Sequence, residues 1–266
     1  MSYYQHPAFS GSDIITALTK TQNEFLHFYA KRQIESIDNK TPEMEFGSLT
    51  HCLLLEPELK DEKIAISPFE TFQSKESKAW KAENSNKIIC KQSQFDKAQK
   101  MVDVLYNSPL AAQFLQKGIN EEEVFAFDTT LSMDLRIKAD KRLKQKSGSL
   151  IFEYKTTGNL IEFGNVYTNF KYYLKAAFYK HVYELQNEKI NDVVLLVQST
   201  EEPFDFEIIK VSKIDLEIGK CEFLEGLELI KKYLYNPEPK IIKLSQMKSW
   251  DKYNLMKKYN LTEAME

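Results

Sequence analysis

Hydrophobic positions recur with helical spacing in the first part of the chain and with strand spacing in the middle. Apolar side chains three or four residues apart predict helices at about 13–32, 44–55 and 93–116, with Ser12 placed to cap the first. Shorter runs, rich in strand-forming residues, predict strands at 124–130, 135–143 and 150–156. The pattern closes with an aromatic-rich helix at 161–185, strands at 192–198 and 204–211, and a helix at 216–235.

The order of these elements predicts the class of fold. Helices followed by three consecutive strands, and then by a helix and two more strands, are typical of an α+β or mixed α/β domain. A chain of 266 residues can bury a substantial core. We therefore expect one domain over residues 1–266, with a helical part at 1–120, a sheet-and-helix core at 121–235 and a tail at 236–266.

Composition narrows the class of protein. Charged residues make up 28% and hydrophobic residues 42%, as in ordinary globular proteins. No apolar run approaches the roughly 18 residues of a membrane span, and the N-terminal residues lack the pattern of a secretory signal. The three cysteines, Cys52, Cys90 and Cys221, are too scattered to indicate disulfides or a zinc site, so we expect a cytoplasmic protein. The net charge of -3 argues against non-specific DNA binding by the whole surface, but it allows a local basic channel.

A predicted hairpin in the middle of the chain places two carboxylates opposite each other. A turn at 145–148 joins two of the strands, and a regular hairpin centred on it sets Asp140 opposite Glu153. Opposed carboxylates repel each other unless a cation lies between them, and Mg²⁺ accepts carboxylates together with waters and phosphate oxygens. Lys155 shares the face of Glu153, where an ammonium group can orient water or stabilise charge on a phosphate.

Two alternatives stay open for this hairpin. The same register sets Lys138 opposite Lys155, an unfavourable pair that a bulge would avoid. Scattered charges also fit a solvated surface hairpin without chemistry. The hairpin also carries a cluster of basic residues, which forms either such a solvated face or a track for DNA phosphates. Its members are Lys138, Lys141, Arg142, Lys144 and Lys146.

Several motifs along the chain occur together in one order between about residues 12 and 185. They are Gly47 and His51 in a G-x-x-x-H helix that ends in Leu55-Glu56-Pro57, the segment Trp80–Asn84, Ala139-Asp140, Glu153-Tyr154-Lys155-Thr156-Thr157 and the helix Lys171–Tyr179. Together they resemble the PD-(D/E)XK nuclease superfamily, and within it the phage-type exonuclease VIII (RecE-type) family.

The resemblance implies a fold, a metal and an activity. The fold is restriction-endonuclease-like, with a β-meander sheet flanked by helices. One or two Mg²⁺ (or Mn²⁺) ions would be held by His51, Asp140, Glu153 and the backbone carbonyl of Tyr154. Asp140, Glu153 and Lys155 would catalyse hydrolysis of DNA phosphodiesters. Further implications are 5′-to-3′ digestion of linear duplex ends, a ring of three or four subunits, and an annealing protein as partner in phage-type recombination.

Two positions depart from the family pattern. Ala139 replaces the proline before the aspartate, and Lys175 replaces a glutamine that usually supports the site or the substrate phosphate. A lysine there either contacts phosphate or alters the activity. We also expect Glu123 to support the metal site and Tyr179 to face it.

Other functions of the same fold are alternatives. One is a RecB-like or Cas4-like nuclease acting on single strands, although three scattered cysteines do not supply the iron–sulfur cluster of Cas4-type proteins. Another is a catalytically weak DNA-binding protein, which the lysine at position 175 favours.

Overall fold

The N-terminal part of the structure is largely helical. We describe a computed structural model that covers residues 3–34, 41–115, 117–235 and 257–258, so most of the expected tail at 236–266 lies outside it. The elements up to residue 115 are α1 (Gly11–Thr19), α2 (Gln22–Ile34), α3 (Pro42–Leu55), α4 (Lys60–Lys63), β1 (Ile64–Ile66), α5 (Lys75–Glu83), β2 (Ile88–Cys90), α6 (Gln92–Asn107) and α7 (Pro109–Leu115). Strands β1 and β2 pair in parallel.

The second part builds a five-stranded sheet. Its elements are β3 (Ile119–Asp128), β4 (Met133–Gln145), β5 (Gly148–Thr157), α8 (Phe163–Asn169), α9 (Tyr172–Leu185), β6 (Ile190–Ser199), β7 (Phe206–Lys210) and α10 (Lys213–Tyr235). The strand order is β3-β4-β5-β6-β7, in which β3, β4 and β5 form an antiparallel meander and β6 lies parallel to β5. The predicted α+β fold with a β-meander sheet flanked by helices is confirmed. Among the described residues, no helix is long and apolar enough to cross a membrane.

Both faces of the sheet carry a hydrophobic core. One core joins the sheet to α1, α9 and α10, and the other joins it to α3, α6 and α7. Strand β5 contributes to both, because Ile151 packs into the first core while Phe152 and Tyr154 pack into the second. A strand covered on both faces lies away from bulk water, and charges on it are therefore weakly screened.

Three of the predicted helices are interrupted. The helix expected at 13–32 is two helices, and Ser10 rather than Ser12 caps the first through a reciprocal bond with Asp13. Pro109, which has no backbone N–H to donate, begins a new helix within the span expected at 93–116. The helix expected at 161–185 is broken at Lys171, whose φ of 50° lies in the left-handed region.

The chain before α1 extends the sheet alongside the first half of β4. The Phe9 N–H donates to the carbonyl of Asp134 (2.9 Å), and the Arg136 N–H donates to the carbonyl of Phe9 (2.8 Å). The Arg136 guanidinium also donates to the carbonyls of Ala8 and Tyr3. These bonds occupy the edge of β4 that β5 leaves unpaired.

A buried carboxylate neutralises the arginines that hold this segment. Asp13 is fully buried, with Oδ1 3.1 Å from Nε of Arg32 and Oδ2 3.8 Å from a terminal nitrogen of Arg136. Arg32 in turn donates to the carbonyls of Tyr4 and His6. The start of the chain, α1, α2 and β4 are thus joined through one acid and two buried cations.

Candidate active site

The two central strands of the meander separate at the position of the paired carboxylates. Strands β4 and β5 pair from the turn as far as Lys141 and Phe152, in the predicted register. Immediately beyond, the Asp140 N–H donates to Oε1 of Glu153 (3.1 Å), and the Tyr154 N–H donates to Oδ2 of Asp140 (2.8 Å). The two acids therefore lie in a fork, where the strands part and an opening begins.

Lys155 supplies the positive charge between these acids. Its Nζ lies 3.1 Å from Oδ2 of Asp140, 2.9 Å from Oε2 of Glu153 and 2.9 Å from the backbone carbonyl of Tyr154. Three acceptors fix the ammonium group in one place. The repulsion expected between opposed carboxylates is thereby offset within the protein itself.

The expected opposition of Lys138 and Lys155 does not occur. Pairing of β4 with β5 ends before Lys138 is reached, and Lys138 instead pairs with Glu123 on β3. Its ammonium lies 3.2 Å from Oε2 of Glu121 and 3.4 Å from Oε1 of Glu123. The unfavourable pair that a regular register would create is thus avoided, because the strands separate before the two lysines would face each other.

A third carboxylate and a histidine complete the cluster. Nε2 of His51 lies 3.2 Å from Oδ1 of Asp140 and 3.4 Å from Oε1 of Glu121. One ligand atom from each of these three residues lies within 4.8 Å of the other two. The structure thus places Glu121, rather than the expected Glu123, beside His51 and Asp140.

The register of β3 explains this choice of acid. Asn120 pairs with Lys141 and Glu122 pairs with Ala139, so the residue between them on β3 lies across from Asp140. That residue, Glu121, has a φ of 52°. Such a left-handed conformation costs a non-glycine residue about 1–3 kcal/mol, and residues held in it cluster at functional sites.

A close approach of α3 to β5 brings His51 to the fork. A Cβ atom on Gly47 would lie 3.2 Å from Oγ1 of Thr156, so α3 and β5 are tightly apposed there. His51 lies four residues later and shares the same helix face. The spacing of glycine and histidine therefore has a geometric reason. The absence of a side chain at Gly47 allows α3 to pack closely against β5, and His51 then reaches Asp140.

Helix α9 borders the fork with two residues singled out from the sequence. The Tyr179 hydroxyl donates to the carbonyl of Lys138 (3.1 Å), which fixes β4 two residues before Asp140. Lys175 lies one turn earlier, with its ammonium 5.9 Å from the centre of the Tyr172 ring. Among the described residues, this ammonium has no hydrogen-bond acceptor and no ion-pair partner, although it interacts electrostatically with Asp140 and Glu153.

Burial and mutual charge set the protonation of the site. Burial alone would raise the pKa of Asp140, but Lys155 and His51 hold that pKa well below its usual value. Burial and the neighbouring Asp140 raise the pKa of Glu153. Burial tends to lower the pKa of Lys155 and His51, yet the carboxylates around each raise it. The fork therefore concentrates negative charge and favours any cation that can share it.

Comparison with known families agrees with this geometry. Residues 15–240 match the family described as a PDDEXK-like domain of unknown function (DUF3799). This chain belongs to that PDDEXK-like family. The predicted membership of the PD-(D/E)XK superfamily is confirmed.

One solved structure shares the fold of this chain at low sequence identity. A crystal structure from Eubacterium rectale, named "Putative exonuclease", is 13% identical and has a TM-score of 0.63 over 92% of this chain and 89% of that one. The structure of SSO0001 is 9% identical, covers 95% of both chains and has a TM-score of 0.33, too low to bear on the fold. Among curated proteins, none matches this sequence.

The donor set of this PDDEXK-like site fits a divalent metal. Carboxylate oxygens suit Mg²⁺ or Mn²⁺, and a neutral imidazole is a common additional ligand. His51, Glu121 and Asp140 present such atoms close together. Glu153 and the carbonyl of Tyr154, which the family resemblance adds to the ligand set, border this cluster and accept hydrogen bonds from Lys155.

The basic residues of the hairpin do not form one continuous surface track. Lys141 is buried and donates to the carbonyl of Leu115, while Arg142 is buried against Glu122 through two short bonds. Lys144 and Lys146 are exposed at the turn. Neither a solvated face nor a DNA-phosphate track therefore describes all five residues, because Lys141 and Arg142 are buried.

Neutralising Glu121 should weaken metal binding far more than neutralising its neighbour. We expect Glu121→Gln to raise the dissociation constant for Mn²⁺ by at least about tenfold, because even residues that only support metal ligands contribute 10–100-fold. Isothermal titration calorimetry of the purified protein measures this constant. Glu123→Gln, an identical change two residues along β3, is the control and should bind Mn²⁺ like the unmodified protein. Equal behaviour of the two variants would remove Glu121 from the ligand set.

Proposed function

We propose that this protein is a metal-dependent DNA exonuclease that hydrolyses phosphodiester bonds from duplex ends. The observation that carries the proposal is the cluster of His51, Glu121 and Asp140, whose ligand atoms lie within 4.8 Å of one another, next to Glu153 and Lys155 at an open fork in the sheet. Hydrolysis of a phosphodiester needs an activated water and stabilisation of added negative charge. Both requirements are met by this combination of residues.

Each residue of the fork has a distinct part in the proposed reaction. His51, Glu121 and Asp140 would hold a divalent metal, whose chemistry would be to lower the pKa of a bound water and to offset charge on the phosphate. Lys155 is fixed by three acceptors, so its ammonium group can position the attacking water without reorganising. Glu153 holds Lys155 and caps the amide of Asp140, which keeps both in place.

Two residues of α9 have supporting parts in the proposed reaction. Lys175 contacts the substrate, and Tyr179 holds β4. The ammonium of Lys175 borders the fork without an ion-pair partner among the described residues. It is therefore available to bind a phosphate of the substrate. We infer that it replaces the neutral contact of the family's glutamine with a charged one. Tyr179 acts on the backbone of β4 through the carbonyl of Lys138.

The preference for DNA ends rests on the charge of the chain. A net charge of -3 gives little long-range attraction for DNA, so processive digestion requires the protein to enclose its substrate. Closed rings of identical subunits are a common way to do this. We propose a trimer or tetramer that digests in the 5′-to-3′ direction and works with a single-strand annealing protein in phage-type recombination.

A comparison of linear and closed circular duplexes tests the proposed activity. With Mg²⁺ or Mn²⁺ we expect nucleotide release from the linear duplex, little loss of the closed circle, and no release in EDTA. Light scattering after size-exclusion chromatography should give three or four subunits. A monomer that nicks circles as fast as it degrades linear DNA would contradict the exonuclease, and preferential digestion of single strands would favour a RecB-like activity.

A further inference from the structure

Helix α8, which follows the strand carrying Glu153 and Lys155, is flanked by two exposed apolar side chains. Ile161 precedes the helix and is 95% exposed, and Phe170 follows it and is 59% exposed. Isolated exposed apolar residues are ordinary on protein surfaces. These two differ because they bracket the segment that connects β5 to α9, the two elements that line the fork.

The ring of Phe170 belongs to an ordered aromatic stack. Its centre lies 6.1 Å from that of Tyr172 with an interplanar angle of 19°, and Phe163 stacks on Tyr172 at 5.9 Å with the same angle. Phe163 is buried and Phe170 is exposed, so the stack runs from the core to the surface. Phe170 is therefore the outer, solvent-facing member.

The backbone around Phe170 is held in one conformation. The Phe170 N–H donates to the carbonyl of Val166 (3.0 Å), and the Lys171 N–H donates to that of Thr168 (3.1 Å). Lys171 has a φ of 50°, which residues other than glycine adopt rarely, and its ammonium lies 2.6 Å from Oε2 of Glu222. An exposed aromatic ring on a fixed backbone needs little ordering before it receives a ligand.

The stack leads directly to the fork. Tyr172, its middle member, lies 5.9 Å from the ammonium of Lys175, which interacts electrostatically with Asp140, Glu153 and Lys155. A nucleotide carries its base and its phosphate on one sugar. A phosphate bound to Lys175 would therefore lie close to Tyr172, the middle ring of the stack.

We propose that Phe170 receives a nucleobase of the DNA substrate, stacked on the outer face of its ring. This inference rests on the proposed nuclease function and adds the contact that positions the strand next to the phosphate under attack. Stacking on an aromatic ring tolerates any sequence, because every base has a π face. The occupant is one unpaired or terminal nucleotide of the strand being digested.

Binding of DNA with single abasic positions tests this contact without relying on hydrolysis. In a Glu153→Gln background, anisotropy of labelled duplexes with a short single-stranded end gives dissociation constants. Phe170→Ala should weaken binding by between about 5- and 150-fold, the range for one base stacked on an aromatic side chain. For the parent, an abasic site at one position of the DNA should weaken binding by the same factor. On that abasic DNA, Phe170→Ala should cause no further loss of affinity. Phe170→Trp should bind at least as tightly as the parent.

Phe127→Ala is the matched control. Phe127 is 54% exposed, and it lies six residues along β3 from Glu121. This variant should bind every duplex like the parent. The stacking proposal is overturned if Phe170→Ala binds like the parent, or if its affinity falls by the same factor wherever the abasic position is placed. Hydrolysis by the unmodified protein would in that case still support the proposed nuclease function. Absence of any DNA binding would overturn both.

Discussion

Glu153→Gln should reduce metal-dependent hydrolysis of linear duplex DNA by at least about 10³-fold, because loss of one charged group at a metal-assisted site removes several kcal/mol of transition-state stabilisation. The substitution keeps the shape of the side chain and removes only its charge. The Glu153 carboxylate holds Lys155 at 2.9 Å, so the change also weakens the position of that ammonium group. Initial rates at saturating Mg²⁺ measure the effect.

The fold of this variant should survive. Glu153 and Asp140 repel each other, and the raised pKa of Glu153 shows that its charge is disfavoured in the fork. The melting temperature measured without metal should therefore be unchanged or slightly higher. Asp140→Asn should show the same loss of activity, while Glu207→Gln, at an exposed position on β7, should keep full activity. Hydrolysis at the normal rate by either fork variant would show that the chemistry occurs elsewhere.

Asp13→Asn should produce the largest loss of stability among these substitutions, about 3–5 kcal/mol, because it leaves buried cations without their counterion. Asp13 is fully buried between Arg32 and Arg136, which hold the first residues of the chain against β4. For a chain of this size each kcal/mol shifts the melting temperature by roughly 2–4 °C, so we expect a drop of about 10 °C. Differential scanning calorimetry measures it.

Two controls separate this charge effect from others. Ser10→Ala removes the hydroxyl that caps α1 and should cost only about 1 kcal/mol. Asp134→Asn makes the same chemical change at an exposed position on β4 and should be nearly neutral. If Asp13→Asn loses no more stability than Ser10→Ala, the two arginines do not depend on this carboxylate.

The central hairpin could be predicted from the sequence because its information is local. Residues close to the turn determine its register, and apolar side chains on both strands fix which residues face each other. The pairing of Lys141 with Phe152 follows from these short-range rules, and it places Asp140 next to Glu153. Nothing local indicates where β4 and β5 separate, so the sequence alone could not decide whether Lys138 and Lys155 face each other.

The identity of the third acid depends on contacts between distant segments. Glu121, Glu122 and Glu123 are equivalent in sequence, and only the register of β3 on β4 and the left-handed backbone of Glu121 distinguish them. The helix break at Lys171 was also missed, because apolar periodicity continues through this residue and only its positive φ marks the break. The break at Pro109 has a local signal in the sequence, since proline has no backbone N–H to donate. The positive φ that distinguishes Glu121 from its two neighbours is visible in the structure and cannot be read from the sequence.

The fork also determines when the protein becomes able to act during synthesis. His51, Glu121, Asp140 and Glu153 come from four separate segments, and β5 is completed only when the later strand β6 pairs with it. Contacts so distant along the chain form slowly, after local helices. A nascent chain that has released α3 from the ribosome therefore carries the histidine but no complete set of ligands. The complete cluster would therefore form only once these segments have come together in the sheet.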